Sequence, residues 1–213
     1  LLALLVAALA EFGIQPTQID AVLLTHIHLD HAGCAGWWAQ QGSKIYVHEQ
    51  GAPHLIDPSK LLASATRIYG EHMDRLWGAV LACPADKVVP ICGNPLLRVG
   101  DLEFQVWDTP GHARHHCAFQ LGSNLFCGDV AAVRLPYQGG RVLSVPAPPP
   151  EFDKEQWLQS LDLLEKLPVE WLYLTHFGRH SAAGHFQELR QALGDITEHI
   201  GGRRHQSRDS VVE

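Results

Sequence analysis

Residues 21–31 read Ala-Val-Leu-Leu-Thr-His-Ile-His-Leu-Asp-His, an apolar run followed by three imidazoles and one carboxylate within six positions. The run Ala21–Thr25 is typical of a buried β-strand, so the polar residues lie in the turn that leaves it. Imidazole nitrogens and carboxylate oxygens are the ligands that Zn²⁺ and similar cations prefer. The stretch therefore predicts a metal site at a strand end, with His26 and His28 directed at one ion and the Asp30-His31 pair at a second.

Three later segments repeat the pattern of an apolar strand that ends in a metal-ligand type of residue. They are Phe104–His112, Asn124–Asp129 and Trp171–His176. Together with His-x-His-x-Asp-His they resemble, in order, the four ligand segments of the metallo-β-lactamase superfamily, across most of residues 20–180. The resemblance implies an α/β fold, a four-layer αββα sandwich with the metal site at the strand ends.

The resemblance also implies a role for each ligand. Seven residues would share two divalent ions: His26, His28 and His112 on the first, Asp30, His31 and His176 on the second, and Asp129 between them. Zinc is the first expectation for both ions, with iron or manganese as alternatives.

Residues beside these ligands are expected to support them. Thr25, Asp108, Thr109 and Thr175 are candidates to hold imidazole N–H groups or to cap strand ends. His115 and His116 are interpreted as hydrogen-bonded neighbours rather than as further ligands, and most of the remaining histidines as solvated. Substrate contacts stay unknown, although Arg134 is considered as a holder of an anionic group.

Two ions that share a water would lower its pKa towards about 7 and so favour hydrolysis at neutral pH. Asp30 is the catalytic candidate, because a ligating carboxylate keeps a second oxygen for orienting that water and moving its proton. The ligand set resembles that of glyoxalase-II-like thioesterases and of lactonases, although lactonases usually carry Tyr where Ala132 stands. The predicted function is a dinuclear metallo-hydrolase of an ester, thioester, lactone or phosphoester bond in a small molecule.

Two alternatives stay open. Persulfide dioxygenases resemble this branch and use a single iron on a subset of the same ligands. A metal-binding protein without catalytic activity is the other, because the superfamily usually begins with strands ahead of the helix predicted at residues 1–12. A sheet without those strands would leave an edge open to a second copy of the chain, which leaves homo-oligomerisation open.

Composition excludes several partners. The 213 residues carry a formal net charge of −7 and no basic cluster longer than Arg203-Arg204, which argues against nucleic acids and anionic membranes. The apolar run of residues 1–10 is too short to span a bilayer. Five cysteines without a Cys-x-x-Cys pair favour reduced, buried thiols and a cytoplasmic location.

We expect one domain over residues 1–213, N-terminally short for its fold. Residues 1–12 are predicted to form a helix with a buried face, and helical periodicity recurs in three further ranges: 58–80, 153–166 and 183–200. Apolar runs predict seven strands: Ala21–Thr25, Lys44–His48, Val88–Ile91, Leu102–Trp107, Cys117–Leu121, Asn124–Cys127 and Trp171–Thr175.

Overall fold

The computed structural model describes residues 2–148 and 150–196, and the chain divides into two compact units. The first unit holds the chain up to Asp108 together with Arg114–Leu121, and the second holds Thr109–Ala113 and the chain from Gly122 onward. The prediction of one domain over residues 1–213 stays a prediction. Within the described ranges, no helix combines the length and the apolar character that a bilayer span requires.

The first unit contains a parallel sheet of order β1-β2-β3 and an antiparallel meander of β4, β5 and β6. Its strands are β1 (Ala21–Leu23), β2 (Lys44–His48), β3 (Val88–Ile91), β4 (Leu96–Val99), β5 (Leu102–Asp108) and β6 (Cys117–Leu121). Its helices are α1 (Leu2–Glu11), α2 (Leu29–Ala32), α3 (Ala35–Gln40), α4 (Ala52–Ile56), α5 (Ser59–Tyr69) and α6 (Met73–Leu76).

The core of the first unit forms where α3 packs on β2. Ile45 and Val47 are fully buried in one apolar cluster with Trp38 and Ala39. The helix approaches its neighbour so closely that a Cβ on Gly36 would lie 2.0 Å from the carbonyl oxygen of Leu81. Glycine is therefore required there, and the close packing fixes the segment that precedes β2.

Helix α1 confirms one part of its prediction and corrects another. The helix is present and ends where Gly13 takes a positive φ of 70°. None of its residues is buried, however, and Leu4 is 74% exposed. Its apolar composition predicted a buried face, but only Leu2 and Leu9 pack against the core cluster of the first unit.

The second unit combines a mixed sheet, a two-stranded ribbon and two helices. Its strands are β7 (Asn124–Gly128), β8 (Val133–Tyr137), β9 (Gly140–Ser144), β10 (Trp171–Leu174) and β11 (Gly178–Ser181). Strand β10 runs parallel to β7 and antiparallel to β11, and β8 pairs antiparallel with β9. Helix α7 is Lys154–Leu164, and residues 185–196 form α8 up to the limit of the described chain.

Helix α7 anchors the second unit. It begins at Asp153, whose side chain accepts a hydrogen bond from the Gln156 amide at 3.0 Å. Its inward face buries Trp157, Leu161 and Leu164 completely. At about 25 cal/mol per Å² of apolar surface, each such side chain contributes about 2 kcal/mol to folding. The helix is therefore a rigid support for the segments that dock on it.

The seven predicted strands are confirmed, with ends that move by two residues or fewer. Strands β4, β8, β9 and β11 were not predicted. Residues 58–80, predicted as one long helix or two short ones, form α5 and α6, and residues 197–200 of the helix predicted at 183–200 lie outside the described chain.

Candidate metal centre

The first set of predicted ligands, called here the local group, is His26, His28, Asp30 and His31. Two backbone hydrogen bonds hold the chain between the end of β1 and the local group. The Leu24 amide donates to the Tyr46 carbonyl at 2.9 Å, and the Cys117 amide donates to the Thr25 carbonyl at 2.6 Å. His28 then directly precedes α2, whose first turn carries Asp30 and His31. Strand, turn and helix start therefore place the whole local group.

The side chains of the local group converge. His26 Nε2 lies 2.9 Å from His28 Nδ1, and His31 Nε2 lies 3.3 Å from Asp30 Oδ2. Two ligand atoms that are each about 2.0–2.1 Å from one ion, at angles between about 90° and 110°, are separated by about 2.9–3.4 Å. Both distances fit pairs of ligands on a shared cation.

Thr25 supports the first histidine of the local group. Its Oγ1 lies 3.2 Å from His26 Nδ1. When His26 Nδ1 carries the proton and donates to this hydroxyl, Nε2 presents its lone pair towards His28 Nδ1. This agrees with the predicted supporting role of Thr25.

The second set, called here the assembled group, is His112, Asp129 and His176. Asp129 directly follows β7, and His176 is the second residue after β10. Because these strands are parallel neighbours, their carboxyl ends bring the two side chains together. Asp129 Oδ2 lies 3.5 Å from His112 Nε2, and Asp129 Oδ1 lies 3.6 Å from His176 Nε2. One carboxylate, 6% exposed, thus directs each of its oxygens at a different imidazole.

His112 reaches the assembled group because its loop docks on α7. Gly111 has a φ of 135°, and a Cβ there would lie 2.3 Å from the Trp157 Cα, so only glycine fits. Ser160 Oγ donates to the Pro110 carbonyl at 2.6 Å, and the Asp153 amide donates to the Gly111 carbonyl at 2.8 Å. These contacts fix the backbone on both sides of the glycine.

The tautomer of His112 follows from its other neighbour. His112 Nδ1 lies 2.8 Å from the Pro146 carbonyl oxygen, which can only accept. Nδ1 therefore carries the proton, and Nε2 directs its lone pair towards Asp129 Oδ2. A histidine held in this way by a carbonyl is the usual arrangement of an imidazole that binds a metal through its second nitrogen.

Other predicted neighbours have mixed outcomes. His115 and His116 are buried, and their rings stack near His26 at centroid distances of 6.2 and 5.1 Å. Asp108 instead lies 3.5 Å from His48, which belongs to the histidines interpreted as mostly solvated and is 4% exposed.

His185 belongs to the same group of histidines, and it is 1% exposed. Its Nε2 lies 2.7 Å from the Ala131 carbonyl, two residues after Asp129 in the chain. Arg134, the candidate for an anionic substrate group, instead donates to His185 Nδ1 and to the Glu188 carboxylate. The partners of His185 are distant in sequence, so no local pattern identified this contact.

The cysteines do not offer a nucleophile. All five are free, and all but Cys34 and Cys92 are buried. Burial raises the pKa of Cys83 to about 11, and burial together with the Asp108 carboxylate raises the pKa of Cys117 to about 12. These thiols stay protonated at neutral pH, and the thiolate is the reactive form. The prediction of buried thiols holds for three of the five, whereas Cys34 is half-buried and Cys92 is exposed.

The closely matching relatives are metallo-β-lactamase-fold proteins. The chain is 30% identical over 193 residues to a metallo-beta-lactamase fold-containing protein of Sulfurisphaera tokodaii, covering 87% of this chain and 72% of the relative. The crystal structure of an archaeal superfamily protein from Sulfolobus tokodaii matches with a TM-score of 0.69 and 29% identity, over 81% of this chain and 67% of that one.

Two further relatives bear on chemistry. A hydroxyacylglutathione hydrolase of Nitrosomonas eutropha is 30% identical over 171 residues, which are 79% of this chain and 51% of the relative. This chain thus spans about half the length of that enzyme. A protein crystallised in a di-iron-bound form, TTHA1623, matches with a TM-score of 0.53 and 28% identity, over 83% of this chain and 78% of that one.

The fold and the family are settled by these matches. The α/β fold expected from the ligand segments is confirmed by the solved structures. The family model described as the metallo-beta-lactamase superfamily matches residues 1–176, a range that contains every predicted ligand. The chain belongs to the metallo-β-lactamase superfamily.

Proposed function

We propose that this protein is a metal-dependent hydrolase that cleaves an ester, thioester, lactone or phosphoester bond of a small molecule with two divalent ions. The observation that carries the proposal is the Asp129 carboxylate, whose two oxygens face His112 and His176 at 3.5 and 3.6 Å. An acidic side chain between two imidazoles, one on each oxygen, is the arrangement that a bridging ligand requires.

The proposal assigns His26, His28 and His112 to one ion and Asp30, His31 and His176 to the other. The donor set fits zinc, because it offers imidazole nitrogens and carboxylate oxygens without a thiolate. Divalent ions held in this way supply hydroxide at neutral pH and polarise the bond that is attacked. Orienting the water molecule and accepting its proton are tasks for a side chain.

Asp30 is the proposed catalytic residue. Its side chain is 39% exposed, whereas that of its neighbour His31 is 4% exposed, so the carboxylate is the more accessible of the two. One carboxylate oxygen, Oδ2, lies 3.3 Å from His31 Nε2 and is the oxygen that would bind the metal. The second oxygen can orient a water molecule and accept its proton as the bond breaks, which is the role of a general base.

The relatives support this class of reaction. Several matched enzymes are hydroxyacylglutathione hydrolases, and the di-iron-bound relative holds two metals. The chain spans from about a third to about half of those hydrolases, so the thioester is one candidate substrate among the four bond types.

A substrate panel with measured metal content tests the proposal. Wild type and Asp30→Asn are assayed on esters, thioesters, lactones and phosphoesters, with zinc, iron and manganese determined on each preparation. We expect two metals per chain and a loss of about 10²–10⁴-fold in kcat for Asp30→Asn, the usual contribution of a general base. Glu155→Gln, an acidic residue in the first turn of α7, is the matched control and should retain activity.

Three outcomes would contradict the proposal. A single iron per chain with consumption of oxygen would indicate a dioxygenase. Two metals per chain without hydrolysis of any substrate class would indicate a metal-binding protein. Unchanged kcat in Asp30→Asn would remove this residue from the mechanism.

A further inference from the structure

We propose that the β8–β9 ribbon braces the metal site: Arg134 and Arg141 hold the two loops that present Asp129 and His176. This inference rests on the proposed function, in which both residues are metal ligands. Arg134 pairs with Leu143 across the ribbon and Arg141 with Pro136, so the two arginines occupy the same face. All of the contacts that carry the inference lie within the second unit.

Both braced loops contain strained backbone. Among the described residues, three that are not glycine have a positive φ: Ala132 at 59°, Gln138 at 25° and Phe177 at 67°. Gln138 lies in the turn of the ribbon itself. The other two lie three residues after Asp129 and one residue after His176. Such conformations persist only where surrounding contacts hold them, and they concentrate at functional sites.

The first loop is held through His185. Residues Asp129–Ala131 form a short helical turn, and Trp157 Nε1 donates to the Val130 carbonyl at 2.7 Å. The next carbonyl, that of Ala131, accepts from His185 Nε2 at 2.7 Å. Arg134 Nε donates to His185 Nδ1 at 3.2 Å, so Nδ1 must be the unprotonated nitrogen and Nε2 the donor. Arg134 thereby selects the tautomer that supports the Asp129 turn.

Arg134 is itself fixed. Its guanidinium makes a two-pronged contact with the Glu188 carboxylate, with Arg134 Nη1 at 3.2 Å from Glu188 Oε1 and Nη2 bonded to Oε2. The Arg134 side chain is 12% exposed. A bidentate pair restrains both the position and the plane of the guanidinium. The contact therefore extends from Glu188 on α8 through Arg134 and His185 to the turn that carries Asp129.

The second loop is held by Arg141. Its Nη1 donates to the Phe177 carbonyl at 2.9 Å and lies 2.9 Å from His180 Nε2. Phe177 is the residue with φ 67° that directly follows His176. Phe177 is 51% exposed, so packing of its side chain contributes little to holding this conformation. The contact from Arg141 therefore opposes relaxation of the loop to a negative φ, which would turn His176 away.

The test of Arg141 measures zinc affinity by competition with a chromogenic chelator on the full chain. Arg141→Gln should lower the affinity for the more weakly bound zinc by about tenfold, the lower end of effects for residues that orient ligands. The matched control is Arg179→Gln, which removes an arginine stacked 4.1 Å over Trp171 in the neighbouring hairpin. Its zinc affinity should stay within twofold of wild type.

A double-mutant cycle separates bracing from general stabilisation. Glycine adopts a positive φ without strain, so Phe177→Gly reduces the need for the arginine. Arg141→Gln should therefore lower zinc affinity less in the Phe177→Gly background than in wild type. Equal losses in both backgrounds would overturn the role of Arg141, as would an unchanged affinity in the single variant.

His185 gives an independent test of the contacts that hold the first loop. Glutamine has one donor and one acceptor and can bond both the Ala131 carbonyl and Arg134, whereas leucine can do neither. His185→Leu should lower zinc affinity by about tenfold or more, and His185→Gln should retain most of it. Where His185→Leu does not fold, Arg134→Gln replaces it, with Arg190→Gln as control because Arg190 is likewise paired with acidic side chains, those of Asp162 and Glu165. Equal zinc affinities in His185→Leu and His185→Gln would overturn the role of Arg134 and His185 in holding the first loop.

Asp129→Asn distinguishes failure of the brace from failure of the proposed function. When Asp129→Asn loses zinc and neither Arg141→Gln nor His185→Leu does, the brace is wrong and the metal site stands. When wild type binds no zinc, or Asp129→Asn binds it as wild type does, the proposed function and the brace fail together.

Discussion

The local group and the assembled group contain the same kinds of side chain but are built differently. The local group lies within six consecutive residues and is placed by one strand exit and the first turn of α2. The assembled group takes single residues from three segments that meet through parallel pairing of β7 with β10 and docking on α7. The first depends on short-range geometry, whereas the second depends on the packing of a whole unit.

Backbone strain follows the same division, and so does the burial of the two carboxylates, whereas among the histidines His26 is fully buried and His176 is 33% exposed. The Asp129 side chain is 6% exposed, compared with 39% for Asp30. The two strained residues near ligands, Ala132 and Phe177, both belong to loops of the assembled group. The ligands of the assembled group therefore depend on contacts from several distant segments, whereas His26 of the local group is supported by its neighbour Thr25. Changes in the assembled group should accordingly affect the site more.

The largest effect is expected for Asp129→Asn. The amide nitrogen cannot bind a cation, and the substitution removes the negative charge between His112 and His176. Without the metal chemistry the activation barrier rises by several kcal/mol, so kcat/KM should fall by about 10³-fold or more. Steady-state assays and metal analysis measure both losses, with circular dichroism as the check on folding. Activity within tenfold of wild type would contradict the bridging role.

A smaller effect is expected in the local group for Thr25→Val. Valine has the shape of threonine but lacks the hydroxyl that lies 3.2 Å from His26 Nδ1. The ring then loses the partner that directs its Nε2, so zinc affinity should fall by about tenfold. Thr66→Val is the matched control, because its hydroxyl bonds only a carbonyl within α5. Similar zinc affinities in the two variants would show that the turn alone orients His26.

The smallest effect concerns acid stability of the metal-free protein. Burial, with a further contribution from the Arg134 charge, lowers the pKa of His185 in the folded state, so the folded protein keeps this ring neutral while the unfolded chain protonates it below about pH 6.5. This stability is therefore present above the unfolded pKa and is lost as pH falls through it. The variant His185→Gln lacks this pH dependence, because glutamine does not titrate.

Urea unfolding at pH 7.5 and pH 5.5 measures that difference. Between these values, wild type should lose more free energy of unfolding than His185→Gln, by at most about 1.4 kcal/mol. Equal losses in the two proteins would show that His185 is protonated in the folded state at the lower pH.

The sequence predicted the strands that carry ligands, because each is an apolar run that ends in a polar residue. It did not predict β8 and β9. Strand β8 contains Pro136, which lowers the expectation of a strand, and the residue is tolerated because the ribbon has only two strands. Composition also predicted a buried face for α1, whose residues are not buried. Burial depends on what packs against a helix, and composition does not specify that.

The amino-acid sequence was enough to propose seven ligands in order, because the four segments that carry them resemble those of the metallo-β-lactamase superfamily. How these residues are held depends on the tertiary structure. It directs each Asp129 oxygen at a different histidine, selects the His112 tautomer through the Pro146 carbonyl, and sets His185 under the Asp129 turn. Each of these contacts joins residues that lie far apart in the chain. Their geometry follows from packing within the second unit, and no local pattern of residues encodes it.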